Sequence, residues 1–281
     1  MPSLPRYLLS AIISSLFSFC LPAHAQFQHE GRVIDKNNKP VPYASVRLLR
    51  ENTGSITDSS GNFQLRPRFH KKHDTLMISS VGFETLKLPV NGSELRGPFR
   101  LMAYSKKMEP VVVKSFSREG FTGSKTENVG FFRGWSAENK GGEIGKEISI
   151  PYKEYQLSKL RFKFYSPCDT VIIRVHIRDM DMDLPGAELI SDSIASVFYR
   201  PAVADKSYEI DLQRYKIILE KKRLFIGLEV LKGNSGSGYC SVVFAGSEQG
   251  IFQYKSSARA DWSRDDDFAI YMRLFVLHNE E

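Results

Sequence analysis

Every second residue is apolar along several stretches of this chain. Leu160, Phe162 and Phe164 alternate with Arg161, Lys163 and Tyr165, and Ile173, Val175 and Ile177 alternate with Arg174, His176 and Arg178. Leu224, Ile226, Leu228 and Val230 share one face, and Phe268, Ile270, Met272, Leu274 and Val276 share another. Successive side chains of a strand point to opposite sides, so this period predicts sheets with one buried and one wet face. No long stretch carries a sustained helical repeat, and the fold class that follows is all-β.

Turn chemistry separates these segments. Asn37-Asn38-Lys39-Pro40, Ser59-Ser60-Gly61-Asn62, Leu184-Pro185-Gly186 and Gly233-Asn234-Ser235-Gly236 supply residues that tolerate positive φ or fix it. Short strands between such turns indicate β-sandwiches.

Four strand-and-turn units follow one another in the first part. They are Gly31-x-Val33-x-Asp35, Pro40-x-Pro42-Tyr43-Ala44-Ser45-Val46, Thr57-Asp58-x-x-Gly61-x-Phe63-x-Leu65 and Asp74-Thr75-Leu76-x-Ile78-Ser79-x-Val81-Gly82-Phe83. In this order they resemble the carboxypeptidase regulatory-like domain, which implies a small transthyretin-like β-sandwich of the kind found as a non-catalytic accessory module in exported proteins. The expected organisation is a signal peptide over 1–25, this sandwich over 26–114 with a last strand at Val111–Val113, a linker over 115–128, and a second sandwich over 129–281. Gly120 and Gly123 carry the linker reading. The second part is similar to jelly-roll and carbohydrate-binding-like sandwiches of secreted proteins in its order of strands and turns alone, with roughly nine to eleven strands.

Arg6, the apolar run Leu8–Leu21 and Ala23-His24-Ala25 read as a secretory leader with cleavage before Gln26. No later stretch reaches the roughly 20 uncharged residues of a membrane-spanning helix. The expected location is the periplasm, outer membrane or cell surface. Net charge is +7, and +6 without Arg6, but the basic residues are dispersed and form no nucleic-acid-binding motif. Cys168 and Cys240 remain after processing. Export permits a disulfide between them, yet one lies in a turn and the other in a strand, and the reading favours two separate structural cysteines.

His278-Asn-Glu-Glu281 is the lone H-x-x-E, and a chain end does not hold zinc in fixed geometry. His70 and His73 flank two lysines and read as a solvated turn, and His176 reads as an exposed surface histidine. Asp179, Asp181 and Asp183 superficially match a calcium loop, but Leu184 and Ile190 stand where that loop needs Gly and Glu, which leaves a weak Ca²⁺ candidate at a hairpin tip. No nucleophile elbow or phosphate-binding glycine loop is present. Trp135, Trp262 and Tyr254 are the candidate ligand-binding residues, because flat rings on a sandwich can stack on sugar faces, although aromatic rings also fill cores. The expectation is a protein without cofactor or catalytic residues, binding an envelope protein as a scaffold. The alternatives are glycan capture by the second sandwich, and a hydrolase whose carboxylates converge only in the fold.

Overall fold

The computed structural model describes residues 28–279 except 52, 68–72, 92–94, 104–114, 127–131, 137–140, 191–192, 202–205, 235–239, 248–249, 257–260 and 267. The leader, the Val111–Val113 strand and His70 lie outside the described residues. Among the described residues seven strands build the first sandwich: β1 (His29–Ile34), β2 (Ser45–Leu48), β3 (Thr53–Ile56), β4 (Asn62–Leu65), β5 (Asp74–Ser79), β6 (Leu86–Val90) and β7 (Phe99–Arg100). One sheet runs β4-β1-β7 and the other β3-β2-β5-β6, with Val33, Val46, Leu48, Phe63, Leu65, Leu76, Ile78 and Phe99 in the core between them.

The motif residues of this part each hold a bend. Asp35 Oδ1 accepts the backbone N–H groups of Asn37 and Lys39, and Asp58 Oδ1 accepts those of Ser60 and Asn62. Thr57 donates its hydroxyl to Val41 O and accepts Ala44 N–H, which ties two turns together. Gly61 sits at φ +79°, where a Cβ would stand 2.5 Å from Val33 O. Only glycine meets both demands.

Among the described residues fifteen strands build the second body: β8 (Arg118–Gly123), β9 (Phe132–Ser136), β10 (Gly142–Ser149), β11 (Tyr155–Tyr165), β12 (Thr170–Asp181), β13 (Leu184–Glu188), β14 (Ile194–Tyr199), β15 (Ser207–Asp211), β16 (Ile218–Leu219), β17 (Arg223–Asn234), β18 (Ser241–Ser247), β19 (Phe252–Lys255), β20 (Ser263–Asp265), β21 (Ala269–Ile270) and β22 (Met272–His278). Sequence reasoning expected fewer, because two- and three-residue strands carry no alternation to read. One sheet runs β13-β12-β17-β10-β19-β20 with β14 beside β12. The other runs β21-β18-β11-β22-β8, with β15 and β16 beside β11 and β9 beside β18. Ile144, Ile173, Val175, Ile177, Leu224, Ile226 and Leu228 from the first sheet meet Leu160, Phe162, Phe164, Met272 and Leu274 from the second. The molecule is thus all-β, with its sheets stacked as sandwiches.

Three expectations are corrected here. Arg118–Gly123, expected as linker, is β8, paired along its whole length with β22. Its glycines serve close approach: a Cβ on Gly120 would stand 2.2 Å from the Tyr152 hydroxyl, and Gly123, at φ +100°, packs on Met272 O. Cys168 and Cys240 form a disulfide, both buried, with their Cα atoms 5.3 Å apart. Sheet pairing brings the turn before β12 to the start of β18, a closeness that a separation of 72 residues hides. Lastly, the polar face of β12 is not wet.

Candidate functional site

Arg174, His176 and Arg178 alternate with the core residues of β12, so they project from the outer face of its sheet. On the neighbouring β17, Glu229 stands opposite Arg174 in the register, and Glu143 of β10 stands opposite Glu229. Glu188 comes from β13 and Lys255 from β19. Exposure falls to 0 % at Glu143, 4 % at Arg174 and Glu229 and 5 % at His176. The expected exposed histidine is therefore buried, because opposite charges on adjacent strands close over one another.

The groups are closely paired, although the buried Arg174 Nε has no hydrogen-bond partner. His176 Nδ1 lies 2.8 Å from Glu188 Oε2 and Nε2 lies 2.8 Å from Glu229 Oε2. Arg174 Nη1 approaches the same Glu229 oxygen at 3.3 Å, and Lys255 Nζ meets Glu143 Oε2 at 3.0 Å. Arg178 spans Glu143 at 3.5 Å and Glu188 at 3.4 Å, and Glu188 Oε1 accepts Ile177 N–H. Gly145 and Gly227 are paired beneath this cluster. A Cβ at Gly227 would stand 2.3 Å from Glu143 Oε1, and one at Gly145 would stand 2.4 Å from the Phe225 ring. Two bare backbones thus make the hollow that takes the Phe225 ring and the Glu143 carboxylate.

Burial pushes the His176 imidazole down, but the Glu143 charge and the bond to Glu188 outweigh it and leave the pKa raised. Burial likewise pushes Glu143 up, and His176, Lys255 and Arg178 overcome it and hold the carboxyl far below its usual range. Glu229 is lowered in the same way, chiefly by Arg174 and His176 against its burial. An imidazolium with both N–H groups donated to carboxylates has no lone pair for a metal or a substrate proton. Among the described residues no group of three or more His, Cys, Asp or Glu is placed to hold a metal. What the cluster does is join parts of the fold. Arg174 Nη2 donates to Tyr43 O of the first sandwich at 2.7 Å, beside an apolar contact of Ile56 with Leu231 that Tyr43, Ile172 and Ala195 flank.

The sequence-predicted site residues do not assemble. Trp262 stands beside the outer face, edge-on to Phe225 at 5.1 Å and under Lys255 Nζ at 5.3 Å. Tyr254 lies on the inner face of the same sheet, stacked on the buried Phe252 at 5.4 Å beneath Arg133. The backbone of Trp135 is in β9 opposite Val242, and its side chain lies outside the described residues. Asp179 pairs with Lys221, and Asp183 pairs with Arg223 and Arg264 at 3.7 and 3.6 Å. These aspartates meet cations of the protein. His278, expected on a frayed end, closes β22 and stacks on Tyr152 at 3.7 Å. Sequence reasoning missed Glu143, Glu188 and Glu229; the signal was Arg-x-His-x-Arg on one strand facing Glu on others.

One more buried group lies inside the sandwich. Lys146 Nζ donates to Ser124 Oγ at 3.2 Å, and burial pushes its amine down to about 8.

Comparison with known proteins addresses the first sandwich. Over 83 residues the chain is 35% identical to the TonB-dependent receptor SusC of Bacteroides thetaiotaomicron, a match covering 30% of this chain and 8% of that receptor. Two solved structures align over most of the chain at a level that carries no argument about fold or function. The infectious bursal disease virus Gx strain structure aligns at 10% identity over 90% of this chain and 64% of its own, with a TM-score of 0.27. A carbohydrate-binding module of the β-sandwich superfamily aligns at 9% identity over 85% and 98%, with a TM-score of 0.21. No helix among the described residues is long and apolar enough to cross a membrane. The model of the CarboxypepD_reg-like domain family matches residues 29–113, the stretch that holds the strands, bends and core of the N-terminal sandwich.

Proposed function

We propose that this protein is an exported envelope component that works by binding, with the CarboxypepD_reg-like sandwich and the larger sandwich held together as one scaffold. The observation that carries the reading is the match of the first sandwich both to its family model and to part of a TonB-dependent receptor. The buried Cys168–Cys240 disulfide supports export, since such bonds persist in oxidising compartments. The Arg174 to Tyr43 bond and the Ile56 to Leu231 contact support a joined scaffold, because an ion cluster and an apolar patch meet at one seam. Binding without catalysis is supported by the cluster itself, whose titratable groups are spent on one another.

Glycan capture is the second reading, favoured by one observation: Trp262 is half-exposed and has Lys255, Arg264 and Asp183 nearby. A sugar ring would meet one aromatic residue there, without Tyr254.

The test is fractionation of cells producing the protein, followed by crosslinking and affinity capture from the envelope, with a glycan array run in parallel. Recovery from the envelope with a defined protein partner, and an empty array, is the expected result. Recovery from the cytoplasm overturns the reading. Array binding lost in Trp262→Ala replaces it with glycan capture.

A further inference from the structure

Lys146 of β10 faces the interior. It lies opposite Ile226 of β17 and Phe252 of β19, and between Ile144 and Ile148 on its own strand, so its side chain enters the space between the two sheets. It is 5% exposed, whereas lysine is almost never buried without a partner of opposite charge. Among the described residues no carboxylate pairs with it, and its hydrogen-bond acceptor is the neutral Ser124 Oγ at 3.2 Å. One acceptor for the three donors of an ammonium, in apolar surroundings, favours the neutral amine. A neutral amine is a nucleophile.

The nitrogen is buried yet lies just under the surface. Gly250 is exposed, with φ +114°, and a Cβ there would stand 3.8 Å from Lys146 Nζ. The bare backbone of Gly250 is therefore a thin cover over the amine. Ser124 stands on the other side of the nitrogen. Its N–H donates to Met272 O and its Oγ accepts Met272 N–H at 3.1 Å, which fixes the hydroxyl oxygen beside Nζ and leaves the hydroxyl proton to be donated.

We propose that Lys146 is a covalent capture site for small aliphatic aldehydes, held as an imine on Nζ. The nitrogen lone pair adds to the carbonyl carbon, the π pair moves to oxygen, and Ser124 Oγ relays a proton from nitrogen to that oxygen. The carbinolamine then loses its C–O bond, and the hydroxyl leaves as water with the last proton of the nitrogen while C=N forms. One amine and one aldehyde give one imine and one water, with no oxidant or reductant. The imine suits the place better than the ammonium did, because no charge is buried and the Ser124 hydroxyl can donate to its nitrogen. Ile226, Phe252 and the Ala269 methyl beside Gly250 make the surroundings apolar, which selects alkyl chains.

The test is brief treatment of the folded chain from Gln26 to Glu281 with propanal and cyanoborohydride at neutral pH, followed by mass mapping of peptides. Lys146 should be alkylated at least about tenfold faster than the exposed Lys36 and Lys216, since far more of its amine is neutral. Its rate should level off above about pH 8 while theirs still climb. Unfolding in urea should erase the preference, and a bulky aromatic aldehyde should reach Lys36 and Lys216 but not Lys146. Lys146→Arg should remove the fast adduct. Equal rates at the three lysines of the folded chain overturn the inference, as does an adduct on Lys146 that forms only after unfolding. Equally fast entry of the bulky aldehyde overturns the restriction to small ones.

Discussion

His176 Nε2 donates to Glu229 Oε2 at 2.8 Å inside a sheet face that alternation alone marks as wet. The sign of its pH dependence follows. The imidazole's pKa is raised on folding, so its contribution is complete below the unfolded value of 6.5 and is lost as pH rises through the raised value. Glu143 and Glu229 are lowered, so theirs is present above 4.5 and is lost as pH falls. Denaturant unfolding measured across pH should give a plateau with an alkaline decline that His176→Gln removes. Breaking such a pair costs about 3–5 kcal/mol, and an unaltered alkaline limb in the variant would refute this account.

Arg174 serves two masters, Glu229 in its own sheet and Tyr43 O in the first sandwich. Arg174→Ala should therefore lower overall stability by about 3–5 kcal/mol, because Glu229 is left buried with one cation fewer. It should also loosen the seam between the sandwiches. Limited proteolysis followed by mass spectrometry should release the first sandwich earlier in the variant than in the wild type. Equal cleavage rates would mean that the apolar contact of Ile56 with Leu231 holds the seam alone.

The disulfide gives a third expectation. Linking positions 72 residues apart removes loop entropy from the unfolded chain worth about 4 kcal/mol in the chain-entropy model. Cys168→Ala with Cys240→Ala should lower the melting temperature, and reductant should have no further effect on that double variant. A wild type whose melting ignores reductant, and whose thiols alkylate without reduction, would show the pair unlinked.

The sequence disclosed most where local chemistry decides the outcome. Asp35 and Asp58 are readable as bends because each acts on backbone N–H groups two and four residues away, and Gly61 because a positive φ is a local demand. The apolar half of β11, β12, β17 and β22 was readable for the same reason, since period two is a property of one strand. What a strand's other face meets is a property of its neighbours. Arg174, His176 and Arg178 look solvated until Glu229 and Glu143 are set beside them by pairing. Trp262 and Tyr254 look like one platform until their strands are paired, which puts Lys255 opposite Trp262 and sends Tyr254 to the other side. Gly120 and Gly123 mislead in a different way, as glycine marks both flexible linkers and tight approaches, and only the atom it approaches tells which.

Gly123 offers the sharpest check on that last point. At φ +100° with Met272 O only 2.4 Å from an added Cβ, alanine there meets both backbone strain and a backbone oxygen that cannot move aside. Strain of this kind costs about 1–3 kcal/mol, and the clash falls where Ser124 N–H donates to Met272 O and Ser124 Oγ accepts Met272 N–H. Gly123→Ala should therefore destabilise the larger sandwich and speed amide exchange in β8 and the start of β22. A flexible linker predicts the opposite, because replacing a mobile glycine with alanine stabilises by about 0.4–1 kcal/mol through the unfolded chain. Unfolding midpoints of the wild type and this one variant separate the two: a rise in stability would return residues 118–123 to the status of a tether.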